Sequence, residues 1–363
     1  MRVAIDTSVT EVTAGGSATY VRELVAAMRD VEPSNDYLEL KYRPLFGRSR
    51  RMLRAFDTLS RELVWQQAVL PRLAARHQAD VVHAPAFLAP ARCRLPVVVS
   101  ILDLYVLRQP SAFRAWHAGF TRVMLPRIVE RADRIIAISR FTKRELLELF
   151  PKVPEEKVTV THLGAHHRFH PRDVDESVKV ADRLRLQRPF FLSVCTLEPR
   201  KNLIRLIQAF STLREGLPHQ LVLVGPVGWK TSGLFRVVRD LGSDGRVVAL
   251  GHVDIEDLPH LYCAAEALVY PSMYEGFGLP PMEAMSCGCP VIASKMGSLP
   301  EVIEDAGVLV DPVEVGEITE AMLRLATVPT LRAALREKGL AQARKFSWSR
   351  CAAETLACYR AVL

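Results

Sequence analysis

Two glutamates and a basic pair are the side chains whose types and spacing suggest chemistry in this sequence. Glu275 and Glu283 are separated by seven residues, among them the run Gly-Phe-Gly-Leu-Pro, and Arg200 and Lys201 are adjacent. Carboxylates accept hydrogen bonds from paired hydroxyl groups, as sugar recognition requires. A basic pair grips phosphate through charge-assisted hydrogen bonds of about 1.5–3 kcal/mol each. The four residues predict a site for a sugar joined to phosphate, although surface acids and a solvated basic pair are the competing interpretation.

The element that must position the glutamates reads as strand, loop, helix and strand. Gly276 and Gly278 let the loop backbone approach a ligand closely, and Pro280 and Pro281 suit the first turn of a helix. The helix N-terminus then points at the loop and favours an anion. Arg200 and Lys201 follow a predicted strand that ends near Val194, and ligands of open α/β sheets bind at strand ends.

The whole chain alternates short apolar runs with helix-period segments, as an α/β fold with parallel sheets requires. Its 363 residues exceed one ordinary core and suit two domains. The charged, proline-containing stretch 167–189 is predicted to hold the linker, with domains at 1–178 and 179–345 and a C-terminal helix at 346–363. Strands are predicted at Val3–Ile5, Val81–Val82, Val97–Ile101, Ile135–Ile138, Phe190–Val194, Gln220–Val224, Val247–Leu250, Ala267–Tyr270 and Val291–Ala293.

Together these residues resemble a family. Glu275 and Glu283 around Gly-Phe-Gly-Leu-Pro, followed by Gly-Cys-Pro-Val-Ile-Ala-Ser, resemble the E-x7-E motif of retaining glycosyltransferases of the GT-B fold, family four. The resemblance implies two Rossmann-like doubly wound domains facing a central cleft. It also implies transfer of a hexose, with mannose expected, from a nucleotide-diphosphate sugar to a glycan, lipid-linked or small-molecule acceptor. Retention of anomeric configuration is implied, and neither a cofactor nor a metal is expected.

The resemblance also assigns roles to positions outside the motif. It implies that Glu275, Lys201, Arg200 and Asp103 are catalytic, and that His83 and Ser139 contact the acceptor. The implied donor-binding residues are Gly15, Gly16, Thr196, Val253, Gly276, Phe277, Gly278, Leu279 and Glu283. Two positions depart from the family pattern, because Leu102 stands where the family has histidine and Thr196 where it often has arginine.

Several of these positions have an ordinary structural alternative. A lone histidine such as His83 is more often structural, Ser139 suits a helix N-cap, and Gly15–Gly16 suits a turn. Asp173 and Asp175 form the acid-any-acid pattern of metal-dependent sugar transferases, but an acid pair at a linker helix start is the favoured interpretation. No metal is assigned to them.

The net charge of +8 and the pI near 9.2 favour anionic partners. Many of the cations lie between Lys41 and Arg76, including Arg43, Arg54 and Arg72. A solvated helix face and a peripheral contact with an anionic membrane or acceptor remain alternatives there. Nucleic acid is not expected, because the stretch lacks interleaved aromatic residues. Without a signal-like start or a long apolar run, and with seven scattered cysteines, the chain is predicted to be soluble and cytoplasmic.

Other functions share parts of this pattern. A nucleotide-sugar epimerase would consume its donor without an acceptor, and a nonenzymatic nucleotide-sugar-binding protein would bind donor without releasing nucleotide diphosphate. A glycan phosphorylase would need free phosphate and usually a longer chain. The glycosyltransferase interpretation is favoured because the resemblance covers nearly the whole chain.

Overall fold

The computed structural model describes residues 1–13, 15–42, 60–113, 115–213, 216–228, 232–241 and 245–363. The chain divides into two compact units, one formed by 1–163 with 347–363 and the other by 164–346. The basic residues from Arg43 to Arg54, for which a membrane or acceptor contact is an alternative, lie outside the described residues. None of the described helices combines the length and apolar character that crossing a bilayer requires.

The first unit is built on a six-stranded parallel sheet in the order β2-β1-β3-β4-β5-β6. Its strands are β1 (Arg2–Asp6), β2 (Asp36–Leu40), β3 (Val81–Ala84), β4 (Val97–Ile101), β5 (Arg134–Ala137) and β6 (Val158–Val160). The helices before the linker are α1 (Val9–Val12), α2 (Gly16–Val31), α3 (Leu70–Arg76), α4 (Tyr105–Arg108), α5 (Ala115–Arg131) and α6 (Arg140–Leu149), with a π-helix at Ser60–Val69 and 3₁₀ turns at Pro110–Ala112 and Glu155–Lys157. The central strands β3 and β4 are buried along their whole length, as apolar runs in a covered parallel sheet should be.

The second unit repeats the architecture with a parallel sheet in the order β12-β11-β10-β7-β8-β9. Its strands are β7 (Phe190–Val194), β8 (Gln220–Val224), β9 (Val247–Gly251), β10 (Ala267–Tyr270), β11 (Val291–Ser294) and β12 (Val308–Val310). Its helices are α7 (Val174–Arg183), α8 (Leu203–Leu213), α9 (Ser232–Leu241), α10 (Leu258–Ala264), α11 (Leu279–Ser286), α12 (Leu299–Ile303), α13 (Val315–Thr327) and α14 (Pro329–Ala343), with a 3₁₀ turn at Pro199–Lys201. Two parallel α/β sheets confirm the predicted fold class.

The unit boundary differs from the position expected from the linker composition. The second unit begins at Gly164 rather than after residue 178, because α7 packs against α10 of the same unit. The last helix, α15 (Trp348–Arg360), packs against α2 and belongs to the first unit. Ser347 caps α15, since its side chain accepts a hydrogen bond from the Arg350 N–H.

Strand order fixes where each sheet can hold a ligand. In the second unit β7 lies between β8 and β10, so connections that follow these strands leave the sheet in opposite directions around β7. In the first unit β1 lies in the same way between β2 and β3. Open α/β sheets bind ligands outside the carboxyl ends of the strands at such switch points. The loops after β7 and β10 are therefore where a site is expected.

Candidate active site

A buried ion pair joins the loop after β7 to the loop after β10. The ammonium nitrogen of Lys201 lies 2.5 Å from Oε1 of Glu275. Only 8% of Lys201 and 7% of Glu275 is exposed. The first residue belongs to the 3₁₀ turn Pro199–Lys201, and the second lies in the loop before α11. The structure thus brings together, at the switch point, two residues that the sequence predicts to act together.

Tyr270 and Ser272 hold the pair in place. The Tyr270 hydroxyl accepts a hydrogen bond from Lys201 Nζ at 2.8 Å and donates one to Glu275 Oε1 at 3.0 Å. The Ser272 hydroxyl donates to the same carboxylate oxygen at 2.6 Å. The ammonium also lies 5.1 Å from the centroid of the Tyr270 ring, within the range of a cation–π contact. The sequence-based assignment missed both residues, although they stand in the Tyr-Pro-Ser run that leads into Glu275.

The charges of the site keep Glu275 ionised. Burial raises the pKa of its carboxyl group, but the charges of Lys201 and Arg200 and the hydrogen bonds from Lys201 and Ser272 outweigh burial, so the pKa lies below its ordinary value. Burial, together with the neighbouring charge of Glu275, raises the pKa of Tyr270 well above its ordinary value. At neutral pH the site therefore contains a carboxylate and a phenol able to donate a hydrogen bond.

Arg200 connects the two loops through its backbone. Its carbonyl oxygen accepts hydrogen bonds from Met273 N at 2.8 Å and from the Ser272 hydroxyl at 3.2 Å. The guanidinium group donates to Glu198 at 2.9 Å, which holds it at the carboxyl end of β7. Asn202, next in the chain, adopts the left-handed conformation with φ of 58° and donates from its side chain to the carbonyl oxygens of Pro271 and Pro312. The basic segment is thus fixed against the loop that carries Glu275.

Glycines shape the loop between Glu275 and α11. Gly278 has φ of 101° and forms the N-cap of α11, a conformation that residues with a Cβ rarely adopt. Gly297 has φ of 68°, and a Cβ there would lie 2.8 Å from the Glu275 carbonyl oxygen. The hydroxyl and the N–H of Ser298 donate to that same oxygen at 3.0 and 3.1 Å. Two separate segments therefore fix the backbone of Glu275.

The N-terminus of α11 is built as the loop sequence predicts. Leu279 begins the helix, and Pro280 and Pro281 occupy its first turn. Because proline has no N–H, the donors available to an anion here are the N–H groups of Gly278 and Leu279 rather than a full first turn. Gly276 precedes Phe277, whose buried ring packs edge-on against Phe346 with 5.8 Å between centroids.

Glu283 lies in the second turn of α11 and makes a separate contact. Its Oε2 accepts a hydrogen bond from the Tyr262 hydroxyl at 3.0 Å, and Tyr262 comes from α10. Burial and this carboxylate raise the pKa of Tyr262 well above its ordinary value, so the tyrosine remains a donor. Glu283 therefore lies in the helix that follows the Glu275 loop and is joined to α10 by this hydrogen bond.

The remaining predicted donor residues lie at the carboxyl edge of their sheets. Thr196 is half-buried just after β7, and Val253 follows β9, which is separated from β7 by one strand. Gly15 is the N-cap of α2 and Gly16 its first residue, and both are exposed. Neither has positive φ, and a Cβ on Gly16 would meet no atom within 4 Å. Packing within the chain therefore does not require glycine at residue 16. The open space beside this residue could admit a ligand.

The positions around the departure from the family pattern lie in the first unit. Asp103 is half-buried after β4, and its carboxylate accepts a hydrogen bond from Tyr105 N at 3.0 Å. Leu102 beside it is also half-buried.

Asp173 caps α7 by accepting from Glu176 N, as expected for an acid at a helix start. Within the described ranges no group of three or more His, Cys, Asp or Glu side chains is arranged to hold a metal ion.

His83 and Ser139, which the resemblance assigns to the acceptor, are both buried in the first unit. His83 uses both ring nitrogens inside the first unit, Nε2 with the Ser100 hydroxyl at 2.8 Å and Nδ1 with the Tyr359 hydroxyl at 2.6 Å. Burial lowers the pKa of His83 to about 3, so the ring is neutral. Ser139 caps α6 by accepting from Thr142 N. Both residues thus have a structural role, and their contact with an acceptor stays a prediction.

Comparison with known proteins gives two family matches that together span most of the chain. Residues 14–168 match the family model of Glycosyltransferase Family 4, and residues 175–342 match that of Glycosyl transferases group 1. The second match contains Lys201, Glu275 and Glu283, and the first contains the glycine pair at the start of α2.

Individual proteins agree with these matches. The chain is 35% identical over 283 residues to the O-antigen chain mannosyltransferase B of Escherichia coli, covering 77% of this chain and 74% of that protein. Its fold is similar to sucrose-phosphate synthase of Thermosynechococcus elongatus, with a TM-score of 0.81, 24% identity and coverage of 99% and 98% of the two chains. It is also similar to Anabaena HepE in complex with UDP-glucose, with a TM-score of 0.77, 22% identity and coverage of 98% and 99%. The chain belongs to glycosyltransferase family 4, has the two Rossmann-like domains of the GT-B fold, and is a glycosyltransferase.

Proposed function

We propose that the chain transfers a mannosyl residue, with retention of anomeric configuration, from a nucleotide-diphosphate sugar to a glycan or lipid-linked acceptor. The observation that carries the proposal is the buried Lys201–Glu275 pair at the switch point of the second sheet. The mannosyltransferase name of the E. coli relative and the UDP-glucose bound to the similar Anabaena protein support the sugar and the donor class.

The two carboxylate oxygens of Glu275 differ in their hydrogen bonds, and we assign them different roles. Oε1 accepts from Lys201, Tyr270 and Ser272. Among the residues that the structure describes, none donates a hydrogen bond to Oε2, so Oε2 is the oxygen offered to a sugar hydroxyl. A carboxylate fixed on one side by three donors presents the other oxygen with little freedom to move.

The N–H groups of the Lys201 ammonium are likewise shared between the protein and the ligand. An ammonium group has three N–H donors, of which one goes to Tyr270 and one to Glu275. The third N–H, with the Arg200 guanidinium and the N–H groups of Gly278 and Leu279, would take up the charge that bond cleavage leaves on the diphosphate. Such preorganised donors take the part that a divalent metal plays elsewhere, and removal of one costs about 10²–10³ in rate.

Retention enters the proposal as what membership of the family implies. In the proposal Glu275 holds a sugar hydroxyl group through Oε2 and does not attack the anomeric carbon. The acceptor hydroxyl therefore attacks on the face from which the diphosphate departs. The proton it loses passes to the departing phosphate oxygen, and no enzyme-bound sugar forms.

The decisive experiment offers the protein a panel of nucleotide-diphosphate sugars, with mannose and glucose each on guanosine and uridine, and mannoside acceptors. Released nucleotide diphosphate and product are measured with and without acceptor, and the anomeric configuration of the product is read by NMR. We expect acceptor-dependent release with mannose as the preferred sugar. Lys201→Ala and Glu275→Ala proteins should lose about 10²–10³ in rate, whereas Lys338→Ala, which removes an exposed partner of Asp305, should not.

Three results would contradict the proposal. Release without acceptor would indicate an epimerase or hydrolase, and donor binding without release would indicate a binding protein. Near-normal turnover of both the Lys201 and the Glu275 variants would remove the residues that carry the assignment. An inverted product would overturn retention alone.

A basic cavity in the first unit supports a peripheral contact with an anionic membrane. It has a volume of about 670 Å³ and is lined by Arg72, Arg92, Arg94 and Arg131. The guanidinium of Arg131 is held by the Cys93 and Leu95 carbonyl oxygens and Asp133, whereas Arg72, Arg92 and Arg94 are exposed. Residues 91–95 precede β4, so this cavity lies at the amino edge of the sheet, away from the carboxyl ends. Basic side chains near an anionic surface contribute about 1 kcal/mol each.

Vesicle sedimentation tests the membrane proposal. The protein should bind vesicles of mixed phosphatidylglycerol and phosphatidylcholine and release them as salt is raised, and Arg92→Ala/Arg94→Ala should weaken binding. Equal binding to phosphatidylcholine alone, or no effect of the double substitution, would contradict the contact. Lys338→Ala/Lys345→Ala, which removes two exposed cations of the second unit, is the matched control.

A further inference from the structure

A pair of thiols joins the end of α10 to the end of α11. Cys263 lies in α10, and Cys287 is the C-cap of α11. The Cys263 sulfur lies 3.5 Å from the Cys287 carbonyl oxygen, so the two residues are in direct contact. The sequence separates them by 24 positions, and only the fold makes them neighbours.

The surroundings of Cys263 favour its thiolate. Arg172 N donates a backbone hydrogen bond to the Cys263 sulfur at 3.3 Å. The hydrogen bond from Cys287 lowers the pKa of Cys263 against the opposing effect of burial, and Arg336 and Arg172 lower it further. The chain offers a contrast, because burial raises the pKa of the Cys195 and Cys351 thiols to about 12. Cys263 is therefore the nucleophilic member of the pair.

The thiol is also accessible to a small reagent. A cavity of about 210 Å³ is lined by Cys263, Glu266, Gly288, Arg332 and Arg336 among others. Cys263 is half-buried, whereas Cys287 is buried behind it. A molecule of the size of hydrogen peroxide fits this volume, and the arginines at its wall stabilise the negative charge that leaves with the reduced oxygen.

We propose that Cys263 and Cys287 form a peroxide-sensitive redox pair, with Cys263 as the attacking thiol and Cys287 as the resolving thiol. The Cys263 thiolate attacks one oxygen of hydrogen peroxide, the O–O bond breaks, and hydroxide leaves, which gives a sulfenic acid. The Cys287 thiol then attacks that sulfur, displaces water and closes a disulfide. Sulfur loses two electrons and the peroxide gains them, so no other co-reactant is needed.

Formation of the disulfide would alter the transferase site by moving α11. Tyr262, the neighbour of Cys263 in α10, donates the hydrogen bond to Glu283, and Cys287 ends the helix that carries Glu283. Drawing the two sulfurs to about 2.05 Å shifts α10 against α11 and displaces the Tyr262–Glu283 contact. Oxidation therefore lowers transfer, a consequence that rests on the proposed function, whereas the chemistry of the pair does not.

Labelling and peptide mapping test the pair directly. The complete protein is exposed to hydrogen peroxide, free thiols are blocked with iodoacetamide, and linked peptides are identified by mass spectrometry before and after reduction. We expect a Cys263–Cys287 link, and in the reduced protein an alkylation rate at Cys263 at least about tenfold above that of Cys93, which is also half-buried. The Cys287→Ser protein should accumulate a sulfenic acid at Cys263 that dimedone traps, and Cys93→Ser should behave like the parent.

The outcomes separate the two parts of the proposal. No Cys263–Cys287 link after peroxide, or alkylation of Cys263 no faster than of Cys93, overturns the redox pair, and both readings come from the parent protein without any variant. If the link forms and transfer is unchanged, the coupling to the active site is overturned. If transfer falls with the link and returns with dithiothreitol, while Cys263→Ser is insensitive to peroxide, both parts are supported.

Discussion

The ammonium of Lys201 lies 2.5 Å from the carboxylate of Glu275, although 74 positions separate the two residues. Burying two charges costs several kcal/mol per ion in lost hydration, and attraction between them offsets the cost only with good geometry and further hydrogen bonds. Tyr270 and Ser272 supply those hydrogen bonds. Because the pair lies at the switch point, we infer that its hydration cost is offset there in order to fix two charged groups for catalysis.

Removing one charge of this pair should cost both stability and rate. Lys201→Met or Glu275→Gln leaves the other group buried without its partner, and we expect a loss of about 3–5 kcal/mol in unfolding free energy. The double variant should recover much of this stability, because no unpaired charge remains, but none of the transfer rate. Urea unfolding and initial rates measure the two effects. Recovery of the rate in the double variant would contradict the role given to the pair.

Removing the Tyr270 hydroxyl should loosen the pair without removing a charge. Tyr270→Phe keeps the buried ring and takes away one acceptor from Lys201 and one donor from Glu275. We expect about 1–3 kcal/mol lower stability and a rate reduced about tenfold or more, with little change in the acceptor KM. Tyr20→Phe is the matched control, since it removes a buried hydroxyl bound to Ser100 in the first unit. An equal loss of rate in both variants would show a stability effect alone.

The central strands could be predicted from the sequence, and so could the edge strand β9, whose Val247–Leu250 is an apolar run, but the other three edge strands could not. Strands such as β4 and β8 are mainly apolar, with four apolar residues of five each, and are buried along their whole length. The strands β2, β6 and β12 were missed, and each lies at the edge of its sheet with few fully buried residues. A short edge strand has one neighbour and a partly solvated face, so its sequence carries little of the apolar signal.

The same division applies to the site. The pattern around Glu275 could be recognised from the sequence because its residues lie in one short stretch. The rule that ligands bind at strand ends predicted that Lys201 belongs to the same site. The family resemblance assigned His83 to the acceptor, and nothing near it in sequence indicates that Tyr359, from the last helix, hydrogen-bonds its ring and packs edge-on against it. Tyr262 and Cys263 were missed for the same reason, since their partners come from α11. Contacts between distant segments decide these roles, and periodicity contains no information about them.

Gly297 should be intolerant of a side chain because of the Glu275 backbone. A Cβ at residue 297 would lie 2.8 and 2.9 Å from the carbonyl oxygen and nitrogen of Glu275, and the positive φ adds strain. We expect Gly297→Ala to lower the unfolding free energy by about 1–2 kcal/mol or more and to reduce the rate by displacing Glu275. Gly316→Ala in α13 is the control, because no atom lies within 4 Å of its Cβ, and it should be neutral or slightly stabilising. Equal behaviour of the two variants would contradict the contact.

His83 should make the stability of the protein depend on pH. Its pKa falls from 6.5 to about 3 on burial, so the unfolded chain binds a proton at pH 5 that the folded protein excludes. The contribution is fully present above pH 6.5 and is lost as the pH falls toward 3. Between pH 7.5 and 5.0 the loss should be about 2 kcal/mol, and His83→Gln, which keeps a hydrogen-bonding side chain but has no titrating ring, should lack it. Urea unfolding at both pH values measures the difference, and the exposed His77→Gln serves as control. A His83→Gln protein with the same pH-dependent loss as the parent, or with a raised acceptor KM at pH 7.5, would contradict the buried structural role.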